Sequence, residues 1–283
     1  MKPIFLLAAA ALYALPLTTR AEDGIIVSDG VALHFTDEGA GPTVILLHAF
    51  AGSSTLWKSS GLMPLDGFRT ISFDARGHGA SGKPLDAGAY GMPLVEDVIR
   101  LMDARGVAAA HVVGYSMGAE TALKLAVTHP ERVRSLVVGG SGWSSEAEVQ
   151  TYGAISAALG DAATFGDFMA AMAPDPAGTT EADMLAGFAM LTDHGISPGQ
   201  DAAPLAAAAG GMHALIGLTA AELFAIDVPV LGLAGGDDPE RENVARLGTV
   251  LDDFTFVPIP GADHLAAPLT PLFTQTVIAF LRD

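Results

Sequence analysis

The chain predicts an α/β fold: a mostly parallel sheet with helices on both faces, interrupted by one helical insertion. Three observations point there. Short β-rich apolar runs alternate with helical patterns over most of the length, the alternation stops between Trp143 and about Ala225, and it then resumes for two further strand–helix units. Such alternation builds parallel sheets covered by helices, and strands that are apolar along their whole length suit burial on both sides.

The first residues, MKPIFLLAAAALYALPLTTRAEDG, carry Lys2, an apolar stretch from Pro3 to about Leu17, and Thr19 and Ala21 as the small residues of a cleavage site. That is the pattern of a secretory signal peptide over residues 1–21, so an exported protein, periplasmic or secreted, is expected. The apolar part is short for a membrane span, and Pro16 interrupts it. IIVSDGVALHFTDEG reads as two strands around Asp29-Gly30, an edge hairpin. TVILLHAF, FRTISFDARG, HVVGYSMG and VRSLVVGG follow as strands, with one helix in PLVEDVIRLMDARG and another running to His129. From Trp143 to Ala225, four Ala- and Met-rich helical stretches succeed one another. Within them Ser145 with Glu148, Thr180 with Asp183, and Thr219 with Glu222 have the spacing of helix starts. VPVLGLAGGDDP and FTFVPIPGADH resume the strands, each followed by a helical pattern, the last ending at Leu281. Residues 22–142 and 226–283 are the expected core, and residues 143–225 the helical insertion.

Half of the 283 residues are hydrophobic, enough to bury a sizeable core in one large or two ordinary domains. Cysteine is absent, which excludes a disulfide framework, a thiolate metal site and a cysteine nucleophile. There are 14 basic and 32 acidic residues, and losing Lys2 and Arg20 with the leader leaves 12 against 32. Nucleic acid and anionic membrane surfaces would be repelled. The expected partner is a small-molecule substrate, with no nucleic acid, and no membrane once the leader is removed. Most of the acidity reads as solvated surface.

The stretch HVVGYSMGAE places Ser116 between Gly114 and Gly118, at the end of a strand pattern and ahead of an alanine-rich helix. A strand–turn–helix elbow of this kind lifts a hydroxyl clear of the sheet, and glycine at both flanks avoids collision with the neighbouring strand and helix. A serine hydroxyl is a poor nucleophile at neutral pH, so a base must accept its proton and a third group must orient that base. In a parallel sheet the site lies beyond the carboxyl ends of the strands, which filters the eight histidines. His111 falls at the wrong end of its strand, His34 in the hairpin, His129 at a helix end, and His194 and His213 in the insertion. His264, in PIPGADHLAAP, follows the last strand at the correct edge. His48 and His78 also follow strands, and both have an alternative use in holding loop backbones.

For the orienting carboxylate, LAGGDDPER offers Asp237 and Asp238, either of which could instead serve a turn or a helix start beside Pro239. Asp238 is preferred because its offset from Gly235 equals that of His264 from Gly261, and Asp237 stays open as the alternative. The N–H groups of Met117, at a helix N-terminus, and of Phe50, after the TVILL strand, are the candidate donors to a developing oxyanion.

These landmarks, in this chain order, resemble the α/β-hydrolase superfamily: HAFAGSSTLW as the oxyanion loop, DARGHGASGKP after the next strand, GYSMG as the elbow, GGDDP for the acid and PGADH for the base. The resemblance implies an eight-stranded, mostly parallel sheet, a cap domain inserted after the sixth strand, a triad of Ser116, Asp238 and His264, and no cofactor. No metal site is expected either. One departure stands out: the family usually has His-Gly in the oxyanion loop, whereas this chain has His48-Ala49, and alanine cannot adopt every backbone angle open to glycine. Relatives that cleave epoxides or carbon–halogen bonds place aspartate in the elbow, so Ser116 argues against both activities.

The insertion holds five of the ten methionines, together with Phe165, Phe168, Phe188 and Phe224. Trp143, Phe168, Met172 and Met212 are the candidate lining of an adaptable apolar pocket, although packing of the helices onto the core is the simpler use of most such residues. The same segment has no lysine or arginine and ten acidic residues: Glu146, Glu148, Asp161, Asp167, Asp175, Glu181, Asp183, Asp193, Asp201 and Glu222. An anionic substrate would find no favourable field there. The expected function is an exported serine hydrolase that cleaves a carboxylic ester or lactone of a small to medium, neutral or cationic, largely apolar substrate through an acyl-enzyme on Ser116. An aminopeptidase-like amidase and a carbon–carbon bond hydrolase are the rival enzymes. A ligand-binding or sensing protein with little turnover is the rival outside enzymes.

Overall fold

The computed structural model describes residues 21–172, 187 and 189–283. The expected leader therefore lies outside the described residues apart from Ala21, as do Thr180, Asp183 and Phe188. The strands are β1 (Glu22–Ser28), β2 (Val31–Gly39), β3 (Thr43–Leu47), β4 (Arg69–Phe73), β5 (Ala110–Tyr115), β6 (Val133–Gly139), β7 (Val230–Gly235) and β8 (Phe254–Ile259). They form one eight-stranded sheet in the order β1-β2-β4-β3-β5-β6-β7-β8. β2 runs antiparallel to both β1 and β4, and the other neighbours are parallel. At the hairpin, Asp29 (φ 51°) and Gly30 (φ 77°) are both left-handed, as a two-residue turn matched to the strand twist requires.

The described helices outside the insertion are α1 (Thr55–Ser59), α2 (Met92–Ala104), α3 (Met117–Thr128), α9 (Arg241–Arg246) and α10 (Pro271–Arg282). In β3, Ile45 and Leu47 pack into one apolar cluster with α2 and α3, while Val44 and Leu46 pack into a second with Trp57 and with Phe273 and Val277 of α10. Successive residues of a strand point to opposite faces. This division is why TVILL is apolar throughout rather than alternating.

Between β6 and β7 run α4 (Glu146–Gly160), α5 (Phe165–Met172), α6 (Ala202–Gly211), α7 (His213–Ile216) and α8 (Ala220–Phe224). Leu159, Phe165, Ala202 and Leu205 of this segment share a cluster with Ala51 of the loop after β3, so the insertion is seated on the core next to that loop. Thr219 and Glu222 make a reciprocal capping box at the start of α8. Thr164 and Asp167 exchange the same kind of bonds at the start of α5, and Asp201 caps α6. Several acids of the insertion therefore begin helices, where the partial positive charge of the first turn favours them. No helix among the described residues is long and apolar enough to cross a membrane.

The loop after β4 is held by a buried ion pair. Arg76 donates from Nε and Nη2 to the two oxygens of Asp97 on α2, at 2.7 and 2.6 Å, and from Nη1 to the carbonyl of Ala89 at 2.7 Å. Ser28 also bonds Asp97. Removing one partner strands the other charge away from water, at a cost of about 3–5 kcal/mol. Asp97→Ala is expected to lose that much in urea-induced unfolding, and a loss below about 1 kcal/mol would contradict the assignment.

Candidate active site

The loops after β3, β5, β7 and β8 meet at the carboxyl edge of the sheet. β5 runs into α3 through Ser116, whose backbone sits at φ 54°, ψ −118°. Such a conformation costs a non-glycine residue on the order of 1–3 kcal/mol and persists only where the surroundings impose it. The Ser116 N–H is anchored to Gly139 O at 2.7 Å. A Cβ on Gly114 would lie 2.2 Å from Gly118 O, and one on Gly118 would lie 2.0 Å from Leu47 O. Both glycines are therefore steric necessities. A serine ahead of a helix ordinarily turns its hydroxyl onto a first-turn N–H. Ser116 makes no such bond, and its Oγ lies 3.1 Å from His264 Nε2.

His264 Nδ1 is 3.0 Å from each oxygen of Asp238. Facing a carboxylate, Nδ1 carries the ring proton and leaves the Nε2 lone pair toward the serine hydroxyl. The Asp238 side chain is fully buried, whereas 28% of the His264 side chain is exposed, so the acid is shielded and the base is open. Asp238 also accepts the Glu240 N–H at 2.9 Å. Of the two adjacent carboxylates, the structure thus brings Asp238 to the imidazole. Asp237 contributes its N–H to Ala262 O.

The competing histidines are occupied elsewhere. His48 accepts from the Ala75 N–H through Nε2 at 3.0 Å and donates from Nδ1 to Ala49 O at 2.7 Å, and burial lowers its pKa. His78 donates to Arg76 O and is pushed down to about 3, by burial first and by neighbouring His48 second. Both brace loops. His111 pairs with Ser135 at the start of β5.

Among the described residues, the N–H groups of Phe50 and Met117 donate to no protein acceptor. Ala49, standing where glycine was expected, needs no left-handed backbone, because the strained residue of that loop is Ala51 at φ 60°. The replacement of His-Gly by His-Ala therefore carries no conformational penalty.

A family model described as the alpha/beta hydrolase fold matches residues 42–196, more than half of the sequence. The chain belongs to the α/β-hydrolase family. That match contains the oxyanion loop and the elbow and ends before Asp238 and His264. An epoxide hydrolase of Caballeronia sordidicola is 37% identical over 123 residues, 42% of this chain and 37% of that one. A putative carbamate hydrolase of a Caulobacter species is 39% identical over 102 residues, 36% of this chain and 38% of that one. Each match thus spans well under half the length of the relative. A hydrolase from Pseudomonas aeruginosa superposes with a TM-score of 0.77 at 26% identity, over 92% of this chain and 98% of that one. An enol-lactonase from Burkholderia xenovorans superposes at 0.72 and 22% identity, over 92% of this chain and all of that one. At that identity the likeness concerns the fold.

Within this α/β hydrolase, the four expected pocket residues part company. Phe168 stacks on Phe165, ring centroids 5.7 Å apart, and packs against the cluster that contains Ala51, which Phe50 and Leu265 also flank. Met212 does not line a pocket: it is fully buried in the main core cluster with Met117, its side chain consumed by packing. Met172, at the end of α5, is 61% exposed and Phe224 is 64% exposed, so both face solvent instead. Trp143 belongs to a separate surface groove of about 490 Å³ shared with Gln150 and Arg246, and its indole N–H is taken by Leu218 O at 3.0 Å. Helical patterning shows that a residue is apolar but not which neighbour covers it.

Three residues that no local pattern in the sequence marks make buried hydrogen bonds around the site: two hold the loop of His264 and one lies in α3 behind Ser116. The Tyr115 hydroxyl donates to His264 O at 2.5 Å. His194, set aside as an insertion residue, is buried and bonds Leu265 O at 2.8 Å. Glu120, one turn into α3, is 3% exposed and accepts from Ser141 at 2.9 Å and from Tyr152 of α4 at 3.1 Å. The only signal for Glu120 in the sequence was an acid on an otherwise apolar helix face.

Burial, opposed by these two hydroxyl donors and reinforced by Glu240, pushes Glu120 up to about 8 from an ordinary value of 4.5. The folded chain therefore holds a proton that the unfolded chain releases. This contribution to stability is complete below about pH 4.5 and is lost as pH rises toward 8. Glu120→Gln keeps a neutral, hydrogen-bonding side chain. The variant is expected to lose less stability than the parent between pH 5 and 8, by up to about 1 kcal/mol per pH unit, in chemical unfolding. Parallel pH profiles for the two proteins would refute a protonated Glu120.

Proposed function

We propose that this chain is an exported serine hydrolase acting on carboxylic esters or lactones of small to medium, largely apolar, neutral or cationic substrates. One observation carries the reading: Ser116 Oγ, the His264 ring and the Asp238 carboxylate form a continuous hydrogen-bonded line with spacings of 3.1 and 3.0 Å. In the proposed reaction, Ser116 Oγ bonds the carbonyl carbon as its proton passes to His264 Nε2. The Phe50 and Met117 N–H groups receive the negative oxygen. His264 returns the proton to the departing alkoxide as the carbon–oxygen bond breaks; water then bonds the acyl carbon as it gives a proton to the same nitrogen, and that proton passes to Ser116 Oγ as its bond to the acyl carbon breaks and the acid leaves. Asp238 holds the tautomer throughout.

Export is proposed from the leader-like residues 1–21. The preference against anions is proposed from an insertion without a single lysine or arginine. Although one relative bears the name epoxide hydrolase, a serine elbow favours acyl transfer. The ligand-binding alternative drew on Ala49, and it weakens because that residue sits in an unstrained backbone.

A fluorophosphonate probe is expected to label the protein at Ser116, with burst kinetics on nitrophenyl esters. Ser116→Ala should abolish labelling and lower turnover by about 10⁴-fold or more. In a graded series, esters with neutral acyl groups should be cleaved faster than those with a terminal carboxylate. Absence of labelling, with saturable binding of a small apolar ligand, would instead favour the sensing protein.

A further inference from the structure

The turn at residues 192–196 seats the insertion on two catalytic loops at once. Its helix stops with the Ile196 N–H on Leu191 O and the Gly195 N–H on Thr192 O, each at 2.8 Å, and with Gly195 left-handed at φ 69°, the arrangement of a Schellman stop. Leu191 and Ile196 are buried in the cluster that contains Ala51. His194 is thus presented by a rigid element. Its residue surface is 1% exposed, and Nε2 lies 2.8 Å from Leu265 O. A carbonyl only accepts, so Nε2 carries the proton; Nδ1 has no partner among the described residues. Burial first, with some help from neighbouring His264, lowers the pKa of this ring and keeps it neutral.

The main chain of the same residue reaches the other loop. His194 O accepts the Ser53 N–H at 3.0 Å, and a Cβ on Gly52 would come within 2.8 Å of that oxygen. The base loop is meanwhile held at successive carbonyls, His264 O by Tyr115 and Leu265 O by His194. One of these grips comes from the elbow and the other from the insertion.

We propose that His194 is a positioning residue: its imidazole N–H sets the base loop while its carbonyl sets the oxyanion loop, which makes the seating of the insertion and the geometry of the triad one structural event. The proposal rests on the serine-hydrolase reading above, and His194 acts through His264 and the Phe50 loop rather than on the reacting atoms. His194→Phe keeps the ring volume and loses the donor. His194→Gln places an amide N–H near the position of Nε2.

On a nitrophenyl ester, His194→Phe is expected to lower kcat by up to about a hundredfold with little change in KM, and His194→Gln to recover most of the loss. The imidazole proton NMR spectrum in the Ser116→Ala background reads the same tie without turnover. There His194→Phe should shift and broaden the His264 Nδ1 proton resonance, because the ring's bond to Asp238 loses its fixed geometry, and His194→Gln should restore it. A folded His194→Phe protein with parental kcat and an unmoved His264 Nδ1 proton resonance would overturn the proposal, as would a Gln variant no better than Phe in both measurements. If the parent protein neither labels nor turns over, the hydrolase reading fails, while the NMR arm still decides whether His194 positions His264.

Discussion

The site depends on a place where no side chain fits. The backbone of α3 at Gly118 lies so close to Leu47 O that a Cβ would stand 2.0 Å from it. That approach presses the elbow against the end of β3 and brings the N-terminus of α3 beside the loop that carries Phe50. The strained backbone of Ser116 is held between this close approach and its own N–H bond to Gly139 O at 2.7 Å. The free hydroxyl follows: at φ 54° the side chain cannot fold back as a helix cap, so it is available to His264. One steric constraint thus places both the Ser116 hydroxyl and the Phe50 and Met117 N–H groups of the proposed reaction.

The insertion is part of this machinery more than a cover laid over it. Its apolar cluster includes Ala51 and packs against Phe50 and Leu265, and Gln200 donates to Ala51 O at 2.9 Å. The left-handed Ala51 is therefore supported from the insertion side, as Ser116 is supported from the sheet. Acidity across the segment has two roles. Asp167, Asp201 and Glu222 start helices, and Glu222 also pairs with Lys124 of α3 at 3.6 Å. Asp161 and Asp193 are exposed and add to the negative charge of the surface.

Two buried carboxyl groups show two solutions to the same cost. Asp97 is met by a matched two-pronged guanidinium from Arg76; attraction and hydrogen bonds offset part of the desolvation, and burial still raises the pKa of this carboxyl. Glu120 has hydroxyl partners and no cation, so burial favours the protonated form. The first joins the loop after β4 to α2. The second joins α3 to Ser141 after β6 and to Tyr152 of the insertion.

Sequence by itself determined the alternating core, the hairpin at Asp29-Gly30, the interruption between β6 and β7, and the nominations of Ser116 and His264, because each rests on local chemistry: periodicity, turn residues, and a serine framed by glycines. Asp238 was a preference drawn from spacing, and the choice over Asp237 came only from the direction each side chain takes. Met172, Met212 and Trp143 do not line a pocket at the triad because an apolar residue on or beside a helix has several surfaces it can cover, and only packing selects one. Tertiary structure alone brought in Tyr115, Glu120 and His194. Their roles are hydrogen bonds to groups such as Leu265 O, 71 positions away from His194, and no local pattern encodes a partner that distant.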